Sequence, residues 1–214
     1  MSVAFPHPAA TWILQVHPHF RHYKTAGDGD CFFSSFQMIL QSLNHPQTTE
    51  QLRKIVAQSV LNADDVACNN TIQHWLEVYT GAWKEKNMML LREYQYMYCI
   101  PPDTTWPLSA AHRQQLYESL CTSRYWADHH ALRMIEETFR VRFVVLNEES
   151  QLPTLTWYHS HDYKPIFYCF LYLNGQHYEP LSLGDRFVWK WEEIPVPVQL
   201  FITKAYKTQK RSTA

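Results

Sequence analysis

The chain of 214 residues lacks both a long apolar run and an excess of charge of one sign. Its longest uninterrupted apolar run, 166–173, is eight residues, against the roughly 20 that a membrane helix needs. With 19 basic and 20 acidic residues the formal net charge is −1, so the electrostatic excess for non-specific nucleic-acid binding is missing. A membrane-spanning helix and a nucleic-acid partner are therefore both disfavoured.

Paired cysteines are also missing. The five cysteines are odd in number and widely spaced, without a CxxC pair for zinc or redox work. The first 16 residues carry no basic leader ahead of their short apolar stretch, so they do not resemble a signal peptide. We expect a reducing compartment, the cytoplasm, or the host cytosol if the source is a pathogen.

Histidine, by contrast, is plentiful, with 12 residues. Three pairs suggest a metal site: His17 with His19, His129 with His130, and His159 with His161. Each is only a pair, and none has a cysteine partner at zinc-finger spacing. Surface or helix-capping histidines are therefore the favoured interpretation, and we expect neither a metal nor another cofactor.

The spacing of apolar residues changes along the chain from a helical period to a strand-like one. Apolar residues at helical spacing predict helices after Cys31, after Thr48, from about Thr71, over 109–121 and after Asp128. Short β-branched or aromatic runs predict strands over 142–146, 166–173, 177–181 and 196–203. Helices first and strands last indicate an α+β fold, with helices packed on a small, mainly antiparallel sheet.

The domain organisation follows from length, because 214 residues suffice for one compact domain. We expect an N-terminal extension over 1–19, a single catalytic domain over 20–203 and a tail over 204–214. The tail carries four basic residues and no acidic one. A solvated, flexible terminus is the favoured interpretation of that composition.

Glycine is scarce, with five residues, and three of the five lie in two short segments that also hold a nucleophile or a base. The first segment places Cys31 after the turn Gly27-Asp28-Gly29-Asp30 and at the start of a predicted helix. A helix N-terminus lowers the pKa of a thiol, and a glycine-containing turn can aim backbone N–H groups at an oxyanion. A tight turn with a buried, inert cysteine is the alternative that this segment alone leaves open.

The second segment places His177 after the predicted turn Asn174-Gly175. In a strand, His177 and Glu179 project from the same face because side chains repeat every two residues. Glu179 could then hydrogen-bond the imidazole, select its tautomer and stabilise the imidazolium that pairs with a Cys31 thiolate.

These two segments resemble the ovarian tumour (OTU) family of cysteine proteases, most of which are deubiquitinases. The run Asp28-Gly29-Asp30-Cys31 followed by Phe32-Phe33 is similar to the family's nucleophile motif, and His177-Tyr178-Glu179 to its histidine motif. The segment 125–128, the helix 132–139 and the strand 141–146 are similar to the elements between them. The resemblance covers roughly residues 20–182 and implies a papain-like fold.

The same resemblance implies roles for individual residues. Cys31 would be the nucleophile, His177 the general base and acid, and Glu179 the residue that orients the imidazole. Asp28, Gly29 and Asp30 would form the oxyanion loop, with Asp28 acting through its backbone because a carboxylate facing an oxyanion repels it. The chain departs from the family at Ser34 and Ser35, where an arginine commonly follows the two apolar residues, and in carrying a glutamate at 179.

Two classes of function follow from this resemblance. The first is a thiol-dependent deubiquitinase that hydrolyses isopeptide bonds at the C-terminal glycine of ubiquitin or a ubiquitin-like modifier and acts as a monomer. The second is a catalytically inactive OTU-like module that binds ubiquitin or another protein. A Cys-His acyltransferase or amidase is a further possibility among enzymes. The pairing of Cys31 with His177 and Glu179 favours the enzyme, since a binding module needs no thiol at a helix start.

Overall fold

The computed structural model describes residues 2–3, 20–99, 101, 104–147, 153–155 and 163–212. The chain forms two compact units, Met1–Gln47 with Ile135–Ala214, and Thr48–Met134. We call the first the sheet unit and the second the helical unit. Within the described residues, no helix is both long and apolar enough to cross a membrane.

The sheet unit is built on a seven-stranded sheet. Its strands are β1 (Ser2–Val3), β2 (Phe20–Tyr23), β3 (Val141–Asn147), β4 (Thr154–Leu155), β5 (Phe167–Asn174), β6 (His177–Leu183) and β7 (Val188–Trp189). The order is β1-β2-β6-β5-β3-β4, and β7 pairs with β5. Only β3 and β5 run parallel among these pairs, so the sheet is mainly antiparallel, as the sequence predicts.

Two helices of the sheet unit pack on opposite faces of this sheet. Helix α1 (Cys31–Ser42) places Phe32 and Phe36 edge-to-face against Phe143 of β3. Helix α7 (Val196–Ser212) contributes Val198 and Ile202 to the core on the other face. That core also contains apolar residues from four strands: Phe20, Val144, Leu146, Phe170, Tyr172, Leu181 and Leu183.

The helical unit consists of α2 (Thr49–Gln58), α3 (Val66–Lys84), α4 (Met88–Tyr98) and α5 (Ala110–Leu120), with a 3-10 turn at Ser59–Leu61. Helix α6 (His129–Phe139) begins in this unit and ends in the sheet unit. The predicted capping box is present. The Thr48 side chain accepts a hydrogen bond from the Gln51 backbone N–H, and the Gln51 side chain accepts one from the Thr48 backbone N–H. Asp128 caps α6 through the backbone N–H groups of His130 and Ala131.

The predicted strand over 196–203 is wrong, because these residues begin helix α7. Ile194, Val198, Ile202 and Ala205 are buried at helical spacing, whereas Val196 and Leu200 are exposed. The carbonyl of Pro195 accepts the N–H groups of Val198 and Gln199, and Pro197 lies in the first turn, where a missing N–H costs nothing. The helix runs on through Ser212, so residues 204–212 are helical rather than a separate flexible tail.

Neither β2 nor α4 has a sequence pattern that predicts it. Strand β2 has only four residues, and α4 has few buried apolar positions, so periodicity was too short or too weak to detect either one. The expected extension 1–19 lies almost entirely outside the described residues, where only Ser2–Val3 is placed, as β1.

Candidate active site

Cys31 is the first residue of α1, at the end of a short turn. Gly29 has φ +87°, a left-handed backbone conformation that favours glycine. The Asp28 carboxylate accepts a hydrogen bond from the Asp30 backbone N–H at 3.1 Å, and the Asp30 carbonyl accepts the Ser34 N–H at 2.7 Å. The turn therefore delivers the chain directly into the helix and leaves the Cys31 side chain at its N-terminus.

Strand β6 brings its first residues to the thiol. The backbone N–H of Tyr178 donates to Cys31 Sγ at 3.4 Å, and the thiol lies 4.0 Å from the carbonyl oxygen of Gln176. Phe32 packs edge-to-face on the Tyr178 ring with centroids 5.6 Å apart, which holds the start of α1 on this strand. The cysteine and histidine motifs, far apart in sequence, thus meet at one end of β6.

Burial raises the pKa of the Cys31 thiol above its ordinary value. The N–H groups of Tyr178, Phe32 and Cys31 itself oppose that rise, and the nearby Asp28 carboxylate adds to it. The expected lowering of the pKa by the helix N-terminus is therefore present as a contribution but is outweighed by desolvation. The thiol consequently needs a base to ionise near neutral pH.

The hydrogen bonds around His177 determine which ring nitrogen carries its proton. His177 Nε2 lies 3.3 Å from Glu179 Oε1 and 3.5 Å from Thr25 Oγ1. The single hydroxyl proton of Thr25 is donated to the Tyr178 carbonyl at 2.9 Å, so Thr25 can only accept from the imidazole, as can an ionised Glu179. In the neutral ring Nε2 therefore bears the hydrogen, and the lone pair is left on Nδ1.

Glu179 is buried and also contacts a second histidine, which no sequence pattern identifies. Its Oε2 atom pairs with Nε2 of His22, which lies on β2 and is 1% exposed. Burial opposes ionisation of Glu179, but the hydrogen bond and charge of His22, together with His177, outweigh it and lower the pKa of the carboxyl group. Glu179 is accordingly an ionised acceptor at neutral pH.

Ser35 connects the nucleophile helix to β6. Its hydroxyl lies 2.7 Å from the Cys31 carbonyl and 3.1 Å from the Tyr178 carbonyl, and the residue is fully buried. The Tyr178 peptide is therefore held on both sides: its carbonyl accepts from Thr25 and shares the single Ser35 hydroxyl proton with the Cys31 carbonyl, and its N–H is directed to the thiol. A residue that marks a departure from the family pattern thus has a defined contact here.

The structure brings all the residues of the predicted site into one region, although their catalytic roles stay predictions. Cys31, His177 and Glu179 lie around the start of β6, and the 28–30 turn lies beside the thiol. The described hydrogen bonds of Cys31 are to backbone groups, and none of them reaches the His177 ring. The Asp30 N–H is occupied by Asp28, so in this conformation it is not aimed at an oxyanion.

His22, Thr25 and Ser35 were missed for identifiable reasons. His22 is one of 12 histidines and lies in a strand too short to detect, although Phe20 and His22 do alternate inward. Thr25 and Ser35 each contact the Tyr178 carbonyl of β6 through a side-chain hydroxyl, and that contact exists only once β6 is in place. Only Ser35, at position i+4 from Cys31, carries a local signal, since serine in a helix often bonds the carbonyl one turn earlier.

The described residues contain no group of three or more potential metal ligands. His17, His19, His159 and His161 lie outside the described part of the chain. His130 is buried rather than on the surface, with its Nε2 2.9 Å from Ser59 Oγ. All five cysteines are free thiols.

A comparison with protein-family models finds no match, and a comparison with curated proteins finds none either. Solved structures do match. An OTU domain in complex with ubiquitin aligns with 13% identity and a TM-score of 0.55, covering 90% of this chain and 88% of the other. An OTU deubiquitinase from Wolbachia pipientis wMel bound to ubiquitin aligns with 14% identity and a TM-score of 0.47, covering 78% and 98%. The chain therefore has an OTU-like α+β fold, as the resemblance implies.

Proposed function

We propose that the chain is a thiol-dependent deubiquitinase, which hydrolyses isopeptide bonds at the C-terminal glycine of ubiquitin or a ubiquitin-like modifier. One observation carries the proposal: the start of β6 presents a backbone N–H to the Cys31 thiol and an imidazole whose tautomer is set by Glu179 and Thr25. The OTU-like fold supports ubiquitin as the partner, because the aligned OTU domain is solved in complex with ubiquitin.

The reaction begins with proton transfer from Cys31 to His177 Nδ1. The thiolate attacks the carbonyl carbon of the modifier's C-terminal glycine, and the carbonyl oxygen becomes an oxyanion. His177 then gives its proton to the leaving lysine amine, and the C–N bond breaks to leave a thioester on Cys31. A water molecule, deprotonated by His177, attacks the thioester and releases the modifier with a free carboxylate while the thiol is restored.

Backbone amides at the start of α1 are the proposed oxyanion donors. Unpaired N–H groups of the first helical turn attract negative charge that develops beside them. The Asp28 carboxylate stabilises the turn through Asp30 and stays outside that role, since a second negative charge would oppose the oxyanion. Reorientation of the 28–30 turn on substrate binding would add the Asp30 N–H to the same site.

The raised pKa of Cys31 makes the imidazole indispensable in this proposal. A thiol that ionises only above its ordinary range holds little thiolate at neutral pH unless a nearby base accepts its proton. Catalytic hydrogen bonds are often long before substrate is bound, so a backbone-bonded thiol in the free protein is compatible with a Cys31–His177 pair in the complex.

The experiment uses the full chain and ubiquitin with a thiol-reactive group at its C-terminus. Wild type should gain the mass of one ubiquitin, and Cys31→Ala should gain none, because only a thiol at the site can form the adduct. Cys121→Ala is the matched control, since Cys121 is another partly exposed free thiol, and it should react like wild type.

The other outcomes of this experiment separate the alternatives. Wild type that binds ubiquitin measurably but forms no adduct, and cleaves no diubiquitin, would be the inactive OTU-like module. An adduct with a ubiquitin-like modifier and none with ubiquitin would show that the modifier, and not ubiquitin, is the substrate. Adduct formation by Cys31→Ala would place the nucleophile elsewhere. Action as a monomer in the cytoplasm belongs to the proposal and is tested by light scattering and by fractionation.

A further inference from the structure

The Glu179 carboxylate is shared by two imidazoles, one at the candidate site and one behind it. Oε1 lies 3.3 Å from His177 Nε2, and Oε2 pairs with His22 Nε2. Glu179 and His177 project from one face of β6, and His22 of β2 stands opposite Leu181 on that same face. The three polar side chains thus form a row, His22–Glu179–His177, at the edge of an apolar core.

We infer that His22 is a positioning residue, which donates its Nε2–H to Glu179 Oε2 and so holds Oε1 towards His177. The inference deepens the proposed function and rests on it. An ionised carboxylate accepts hydrogen bonds only, so the nitrogen that faces it must carry a hydrogen. Second partners of this kind orient the groups that contact the reacting residues, and at metal sites, where ligating histidines are held in the same way, their loss costs about 10- to 100-fold in affinity or activity.

The surroundings of His22 favour a rigid donor. The residue is 1% exposed, and its ring packs edge-to-face on Tyr172 of β5 with centroids 5.3 Å apart. Among the contacts described for it, Glu179 of β6 and Tyr172 of β5 are titratable groups, and Val3 of β1 is its strand neighbour. A flexible carboxylate side chain has several rotamers, and a bond from a buried ring removes that freedom from Glu179.

The test compares His22→Phe with His22→Gln. Phenylalanine keeps the ring that packs on Tyr172 but removes the donor, whereas the glutamine amide supplies a donor without a titratable charge. We expect His22→Phe to lower kcat about 10- to 100-fold with KM for ubiquitin substrate within about 2-fold, and His22→Gln to stay within about 5-fold of wild type. Ser182→Ala is the matched control, a buried polar residue of β6 that contacts Tyr23 and Gly184 instead.

A second readout needs no ubiquitin. The rate of Cys31 alkylation by iodoacetamide is measured from pH 5 to 10, because it follows the thiolate fraction. Wild type should react faster at neutral pH than His22→Phe, because a His177 held by Glu179 accepts the Cys31 proton more readily, and both should speed up at alkaline pH, where Cys31 ionises without a base. Equal impairment by His22→Phe and His22→Gln, or an alkylation profile that His22→Phe leaves unchanged, would reduce His22 to a structural residue.

Nitrogen NMR of the wild-type histidines decides the matter if His22→Phe does not fold. Signals that show a hydrogen on Nε2 of His22 support the inference, and an Nε2 without a hydrogen, as in the Nδ1–H tautomer, overturns it. Neither alkylation nor NMR depends on the substrate. Failure of wild type to react with ubiquitin would thus overturn the proposed function, while these two readouts would still test the role of His22.

Discussion

The backbone N–H of Tyr178 donates a hydrogen bond to the Sγ atom of Cys31 at 3.4 Å, although 147 positions separate the two residues. The bond ties the register of β6 to the start of α1. A slip of β6 by one residue would move His177 and Glu179 to the other face of the sheet. The candidate site therefore depends on contacts that hold the Tyr178 peptide in place.

Ser35→Ala should impair this register more than Ser34→Ala. The Ser35 hydroxyl shares its single proton between the carbonyls of Cys31 and Tyr178, and no hydrogen bond of the Ser34 side chain is among those described. We expect Ser35→Ala to cost about 1 to 2 kcal/mol in the free energy of unfolding and to lower kcat several-fold. Urea denaturation and steady-state cleavage measure the two effects, and equal values for both variants would contradict the role of Ser35.

Cys31→Ala and His177→Ala should each abolish cleavage, and the double variant should be no worse. The two side chains act as one unit, because the thiolate needs the base and the leaving amine needs the resulting acid. Single-turnover cleavage of a fluorogenic ubiquitin substrate gives the three rates. A double variant far slower than either single one would show that the residues act independently.

Glu179 should give a graded response. Glu179→Ala removes the acceptor for both His177 and His22, so turnover should fall about 10- to 1,000-fold. Glu179→Gln keeps one acceptor oxygen and should retain part of the rate. Steady-state kinetics of both variants test this prediction, and a wild-type rate for Glu179→Ala would remove Glu179 from the site.

Asp28→Asn should make the Cys31 thiol more reactive. The Asp28 carboxylate is one of the causes that raise the pKa of Cys31, and an asparagine oxygen can still accept the Asp30 N–H. The pKa should fall, and iodoacetamide alkylation at pH 7 should become about 2- to 5-fold faster. Asp28→Ala loses the turn as well and serves as the comparison. Slower alkylation of Asp28→Asn than of wild type would contradict the prediction.

Protonation of the buried His130 should make the helical unit less stable in acid. Burial lowers the pKa of His130 to about 4, so the folded protein binds fewer protons there than the unfolded chain does between pH 4 and 6.5. The stabilisation is complete above the unfolded pKa of about 6.5 and is lost as the pH falls towards 4, in all about 2 to 4 kcal/mol.

Urea denaturation of wild type and His130→Gln at pH 7.5 and 5.0 measures this contribution. Wild type should lose more stability on acidification than the variant, because glutamine does not titrate. Parallel losses in the two proteins would show that another group causes the pH dependence.

The amphipathic helices and the two motifs were predictable from local sequence. The capping box at Thr48 and Gln51 and the cap at Asp128 form within three residues, so local chemistry decides them. The motif at Cys31 and the alternation of His177 and Glu179 are likewise local, which is why the candidate site could be predicted from residues so far apart in sequence.

The other features were decided by tertiary structure, because they depend on which face of a helix or strand packs against the rest of the protein. The β-branched residues of 196–203 predict a strand, but burial of Val198 and Ile202 on the sheet makes the segment a helix. The pKa of Cys31 depends on desolvation under β6, which no spacing reveals. His22 acquires its contact with Glu179 only when β2 pairs with β6, since no local pattern joins residues 157 positions apart.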